Sequence, residues 1–109
     1  MRIINCTPHD INIIVERGTL TVPKSGIVPR VSTKAVLVDT LLHEGLAIPV
    51  QTSVMGELEG LPPEEAGTVY IVSLLCLEAG KKIGRSDLVS PDTLRDDKGN
   101  IIGCKGFNR

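Results

Sequence analysis

The sequence predicts an α+β fold, a β-rich single domain over residues 1–109 with short, mostly antiparallel strands and one main helix near residues 73–83. Three observations carry this reading. Short runs of β-branched and aliphatic residues recur between clusters of Gly, Pro, Asn and Asp. A single stretch, Leu74–Ile83, has helical instead of alternating spacing. Finally, 109 residues suit one domain, which at that size buries about two-thirds of its unfolded surface.

From the N-terminus, Ile3–Ile4 and Ile11–Val15 read as two strands around a Thr7-Pro8-His9-Asp10 break, because Pro8 cannot donate to a ladder. Thr19–Pro23 alternates with period two. Lys24-Ser25-Gly26 is a turn, and Ile27–Thr33 is expected to be a strand interrupted by Pro29, hence an edge or a bulge. Lys34–Leu42 is compatible with helix, but Val36, Val38 and Thr40 favour a strand. His43-Glu44-Gly45 then turns into a returning strand, Leu46–Leu58. Gly60–Gly67 is a proline-rich acidic loop. Thr68–Val72 is a buried strand, and Ser73 stands where a helix cap should be. Glu78 and Lys82 pair favourably one turn apart, and Gly84 ends the helix. Arg85–Thr93 reads as a short extended piece. Asp97-Lys98-Gly99-Asn100 is the turn of a closing hairpin whose return strand is Ile101–Phe107.

Composition excludes several functions. The net charge is −1 with both signs scattered, and the only aromatics are Tyr70 and Phe107. A nucleic-acid polymer needs a basic stripe, and single strands need stacking rings, so neither partner is expected. No apolar run approaches the ~18 residues of a membrane span, and no signal-peptide pattern opens the chain. A cytoplasmic location is expected. Three cysteines without a CxxC argue against a disulfide framework, and Cys6 with His9 alone does not make a metal site. Neither a metal nor a cofactor is expected.

Catalytic patterns are thin. Cys6 and His9 are close enough in sequence for a thiolate pair, and Glu57 and Glu59 share one strand face, but turn and solvated-face roles account for both. The strand–Ser73–helix junction is a better candidate. A helix N-terminus offers free N–H groups and partial positive charge to a phosphate. Arg85 could add a guanidinium held by Asp87, although Ser73 as a plain cap and an Arg85–Asp87 surface pair explain the same residues. Arg30 and Arg95 are further polar groups near turns or strand ends.

The segments INCTPHDINI, VPKSGIVPRVS, GELEGLP, GTVYIVS, DLVSPDT and RDDKGNIIGCKGF together resemble a family of small proteins encoded by tailed phages and prophages. The resemblance spans Ile3 to Phe107, with Ser86 where an acidic residue is common and a shortened loop after Asp92. It implies a phage accessory protein acting in the host cytoplasm. The expected function is to bind and sequester a small nucleotide-type signalling molecule of host immunity, without catalysis, as a homo-oligomer. The expected ligand-binding residues are Thr7, His9, Arg30, Ser73, Arg85, Asp87 and Arg95. Two alternatives remain open: a protein-binding inhibitor or assembly factor using an exposed strand edge around Pro23–Ser32, and a small nucleotide hydrolase.

Overall fold

Eight strands and one helix build the protein, whose computed structural model describes residues 1–109. In chain order they are β1 (Arg2–Asn5), β2 (Ile11–Val15), β3 (Gly18–Val22), β4 (Arg30–His43), β5 (Leu46–Glu59), β6 (Thr68–Ile71), α1 (Leu74–Lys82), β7 (Leu88–Arg95) and β8 (Ile101–Asn108). Strand is the dominant class and the helix is short, so the α+β expectation holds.

Six strands form one sheet in the order β1-β6-β7-β8-β2-β3. The sheet curls until its two ends meet, where Asn5 bridges Lys24 and the Ser25 amide donates to the Asn5 carbonyl at 2.9 Å. Most paired residues are antiparallel, but β1, β6 and β7 form a parallel trio, and β2 touches β8 in parallel. Parallel neighbours need a crossover, and α1 supplies it between β6 and β7.

Alternation along β6 sends its side chains into two cores. Tyr70 and Val72 pack with Cys6, Cys76, Leu77 and Leu88 beneath the helix. Ile71 packs on the other side with Ile13, Val22, Val89 and Cys104, inside the curled sheet. All three cysteines are therefore free, buried thiols that pack as small apolar groups.

The helix begins and ends where the sequence places it. Ser73 Oγ accepts from the Cys76 amide at 3.3 Å. At the other end Gly84, at φ 83°, lets its own amide reach Lys81 O and the Arg85 amide reach Gly80 O. This pair of bonds is a Schellman motif, which only a left-handed residue closes without strain. Gly80 is buried against Leu88, so the helix sits close to β7.

The remaining two strands form the hairpin expected around His43-Glu44-Gly45, and only the expected strand interrupted by Pro29 is corrected. Each of β4 and β5 has 14 residues, and they pair only with each other, around a two-residue turn of Glu44 (φ 50°) and Gly45 (φ 80°). Positive φ at both positions is what a tight hairpin turn requires. The strand begins at Arg30, so Pro29 precedes it and does not interrupt it; the missing N–H of Pro29 never enters a ladder. No residue of this hairpin is buried. It projects as an arm, and the molecule measures 62 × 39 × 21 Å with a radius of gyration of 18.3 Å. A compact chain of this length would have about 13 Å.

Candidate functional site

The carboxyl ends of the parallel trio gather the first group of candidate residues. β1 runs into the Cys6–Asp10 loop, β6 into Ser73, and β7 continues through Ser90. The Cys6 amide donates to Ile71 O and the Val72 amide to Val89 O, each at 2.8 Å, so the three strand ends stay in step.

The loop after β1 is organised by Asn5, which is 1% exposed. Its Oδ1 accepts from the Thr7 amide at 2.9 Å and from Thr7 Oγ1 at 2.6 Å. Its Nδ2 donates to the carbonyls of His9 and Val22. Thr7 Oγ1 also contacts the His9 carbonyl at 2.9 Å. Thr7 thus holds the turn, and its hydroxyl is fully engaged. The His9 side chain stays exposed and lines a cleft of about 370 Å³ with Asn12, Pro91, Thr93 and Gly103. That volume falls in the lower range of small-molecule sites.

Ser73 and Pro29, the residue before Arg30, both meet the first turn of α1. Ser73 takes one of the free amide groups of that turn, which leaves others unpaired within the helix. Cys76, whose amide Ser73 caps, points its Sγ at the Pro29 carbonyl, 3.4 Å away. Arg30 follows immediately, exposed, as the first residue of β4. The sequence keeps Pro29 and Ser73 far apart, and the fold brings both against Cys76.

Ser90 adds a group that sequence reasoning passed over. It is 2% exposed, and its Oγ has no hydrogen-bond partner. Alternation along β7 puts it on the same face as Leu88, the face that packs against α1, one strand position nearer the helix N-terminus. A buried hydroxyl without a partner is uncommon because its desolvation is uncompensated. The signal in the sequence was a serine inside an otherwise apolar strand start.

Arg85 and Asp87 lie at the opposite end of α1. Arg85 Nε and Nη2 meet both oxygens of Asp87 at 2.9 Å, and Nη2 also donates to the Pro62 carbonyl at 2.9 Å. Glu64 approaches Nε at 3.4 Å. Both side chains of the pair are only 13% exposed. The guanidinium contact holds the Asp87 carboxyl below its ordinary range, and Asp87 raises Arg85 further. Tyr70 Oη donates to Pro63 O at 3.1 Å, so Arg85 and Tyr70 together fasten the proline-rich loop over the core. Burial, followed by the nearby Glu65 charge, pushes the Tyr70 hydroxyl up.

Arg95 is separate again. It is exposed at the end of β7, and its Nη1 donates to Gly99 O at 2.7 Å within the β7–β8 turn. The seven expected residues therefore do not form one site. Thr7 and Ser73 border the carboxyl edge, Arg30 stands exposed at the base of β4, His9 opens onto its own cleft, and the other three fasten loops elsewhere.

No protein-family model, curated protein or solved structure matches the chain. No helix is long and apolar enough to cross a membrane.

Proposed function

We propose that the protein is a phage accessory protein that binds and sequesters a small nucleotide-type signalling molecule of host immunity. It acts in the host cytoplasm, without catalysis and as a homo-oligomer. The observation that supports this reading is the polar group at the start of α1. Free helix amides and the Ser73 cap stand at this helix end, Arg30 follows Pro29, whose carbonyl meets Cys76 of the same turn, and β7 contributes the buried, unpartnered Ser90 hydroxyl. Amide groups and a guanidinium suit a phosphate, and the helix dipole favours its charge. The cleft beside His9 is apolar enough to take a base or sugar.

A specific observation favours a second reading, a protein-binding inhibitor or assembly factor. The β4–β5 arm has two free strand edges, and an unpaired edge accepts a partner strand. The expected edge at Pro23–Ser32 is replaced in that reading by the arm itself.

Thermal unfolding of the purified protein against cyclic dinucleotides, cyclic ADP-ribose isomers, NAD and mononucleotides separates the two. A ligand at a hundred times its Kd adds about 2.7 kcal/mol of stability. The expected outcome is a shift of several degrees with one ligand, recovery of that ligand unchanged after heating, and loss of the shift in Arg30→Gln. A ligand recovered in altered form points to hydrolysis. No shift across the panel overturns the nucleotide reading.

A further inference from the structure

The six-stranded sheet closes on itself at one point only. Asn5 bridges Lys24, and the amide and hydroxyl of Ser25 donate to the Asn5 carbonyl at 2.9 and 2.7 Å. Beside that bridge the two edge strands, β1 and β3, border a cleft of about 400 Å³.

The backbone along this cleft is unsatisfied. The amides of Arg2 and Cys6 donate to Gly67 O and Ile71 O, so these positions of β1 face β6. Alternation turns the amide and carbonyl of Ile3 the other way, into the cleft, where no strand pairs with them. An edge of this kind takes up an incoming strand.

The cleft walls are apolar, formed by Ile3, Ile4, Val22, Pro23 and Ile27. Asn5 and Ser25 also line it, but their polar groups are engaged in the closure. Leu20 extends the apolar surface along β3. It pairs with Ile13 and shares the inner face of Val22, yet it is 58% exposed. The core inside the curl is therefore uncovered on this side, as in a barrel short of one strand.

Charge narrows the occupant further. Arg2 and Lys24 are the charged residues lining the cleft, and both are cations. Glu65 meets Arg2 from outside at 3.7 Å between exposed side chains, and Lys24 pairs with no carboxylate.

We infer that this seam docks an extended, acidic segment of a partner protein, which adds to the free edge of β1. Its backbone pairs with Ile3, its inward apolar side chains cover Val22 and Leu20, and its acidic side chains meet Arg2 and Lys24. A small anion would use the two charges and leave the Ile3 backbone and Leu20 bare. A nucleic acid needs a longer run of cations than two. The site is separate from the edges of the β4–β5 arm, where Lys34 and Asp39 bring both signs of charge. The inference goes beyond the nucleotide reading and uses none of its seven ligand residues.

A displayed library of random octapeptides, panned on the purified protein, tests the seam. The enriched sequences are expected to alternate apolar side chains with others that include Asp or Glu. No enrichment, or enrichment of basic or non-alternating sequences, overturns the inference. With the tightest synthetic peptide bound, exchange of the Ile3 amide should slow, and slowing confined to β4 and β5 would place the contact on the arm instead. Lys24→Glu should weaken that peptide about tenfold and flatten its salt dependence. Leu20→Asp should also weaken it, whereas Leu42→Asp at the arm tip should leave it unchanged. All three variants should keep the near-ultraviolet signal of Tyr70, the only tyrosine, which lies in the core and reports folding. Equal binding by Lys24→Glu and Leu20→Asp, or loss with Leu42→Asp alone, would overturn the assignment.

Discussion

Arg85 and Asp87 meet in a two-pronged ion pair, both nitrogen–oxygen distances being 2.9 Å, at the C-terminal end of α1. The pair is mostly shielded from water, and the same guanidinium reaches Pro62 O across the loop. Its geometry is that of a staple whose Nε and Nη2 donors are already committed. Arg85→Ala removes the staple and leaves a shielded carboxylate unpaired. The expected loss is about 2 kcal/mol in urea unfolding, within the range for charged hydrogen bonds. Arg85→Lys should recover little of it, because a point charge cannot span both oxygens. A loss below a few tenths of a kcal/mol would show that the loop closes without the pair.

The same pair sets a pH dependence. Asp87 is held below its ordinary value of 3.8, chiefly by the Arg85 hydrogen bonds. Between the folded and unfolded values the unfolded chain binds more protons, so stability rises with pH there. The contribution is fully present above 3.8 and is lost as pH falls through the lower folded value. Asp96, lowered by the amides of its own turn, adds a dependence of the same sign. Unfolding midpoints measured from about pH 5 down to pH 2 should therefore fall in wild type and fall less steeply in Asp87→Asn. Parallel slopes in the two proteins would contradict the assignment.

How far these features were legible depends on the range of the interactions. The helix was readable because its signals are local: Ser73 before it, Gly84 after it, and apolar spacing between them. The hairpin turn at Glu44-Gly45 was readable for the same reason. Parallel pairing of β1, β6 and β7 was not, since residues such as Ile4 and Tyr70 meet only through the tertiary fold. Arg85 and Asp87 were recognisable as a pair, but their shielding comes from the Gly60–Gly67 loop folding over them. Apolar runs in Val36–Leu42 and Leu46–Val54 look like core strands; only the three-dimensional placement shows that nothing in the chain covers them. Arg30 and Ser73 were each picked out singly, and Cys76 with Pro29 is what joins them.

Gly80 tests how tightly the helix is seated. A methyl group built there collides with Leu88 Cδ1, and Leu88 is 1% exposed with little room to move. Alanine would gain about 1 kcal/mol from helix propensity. Overpacking in a filled core costs about 1–3 kcal/mol, and the collision should prevail. Gly80→Ala is expected to lower stability by about 1 kcal/mol net. The double variant Gly80→Ala, Leu88→Ala should be less unstable than the sum of the single changes, since the two residues share one contact. Strict additivity would mean that the helix shifts freely.

Ser90 distinguishes a structural role from a ligand role at the head of α1. Its buried hydroxyl has no partner, so the ligand-free protein gains nothing from it and carries its desolvation cost. Ser90→Ala should leave the melting temperature of the free protein unchanged or raise it slightly. Ser73→Ala should lower it, because loss of a cap costs about 1 kcal/mol. If a phosphate-bearing ligand binds at this helix end, both variants should lose affinity, by isothermal titration with whichever compound shifts the wild type. A Ser90→Ala protein that melts lower and binds equally well would show that the hydroxyl serves packing, and the ligand would then have to be sought at the His9 cleft.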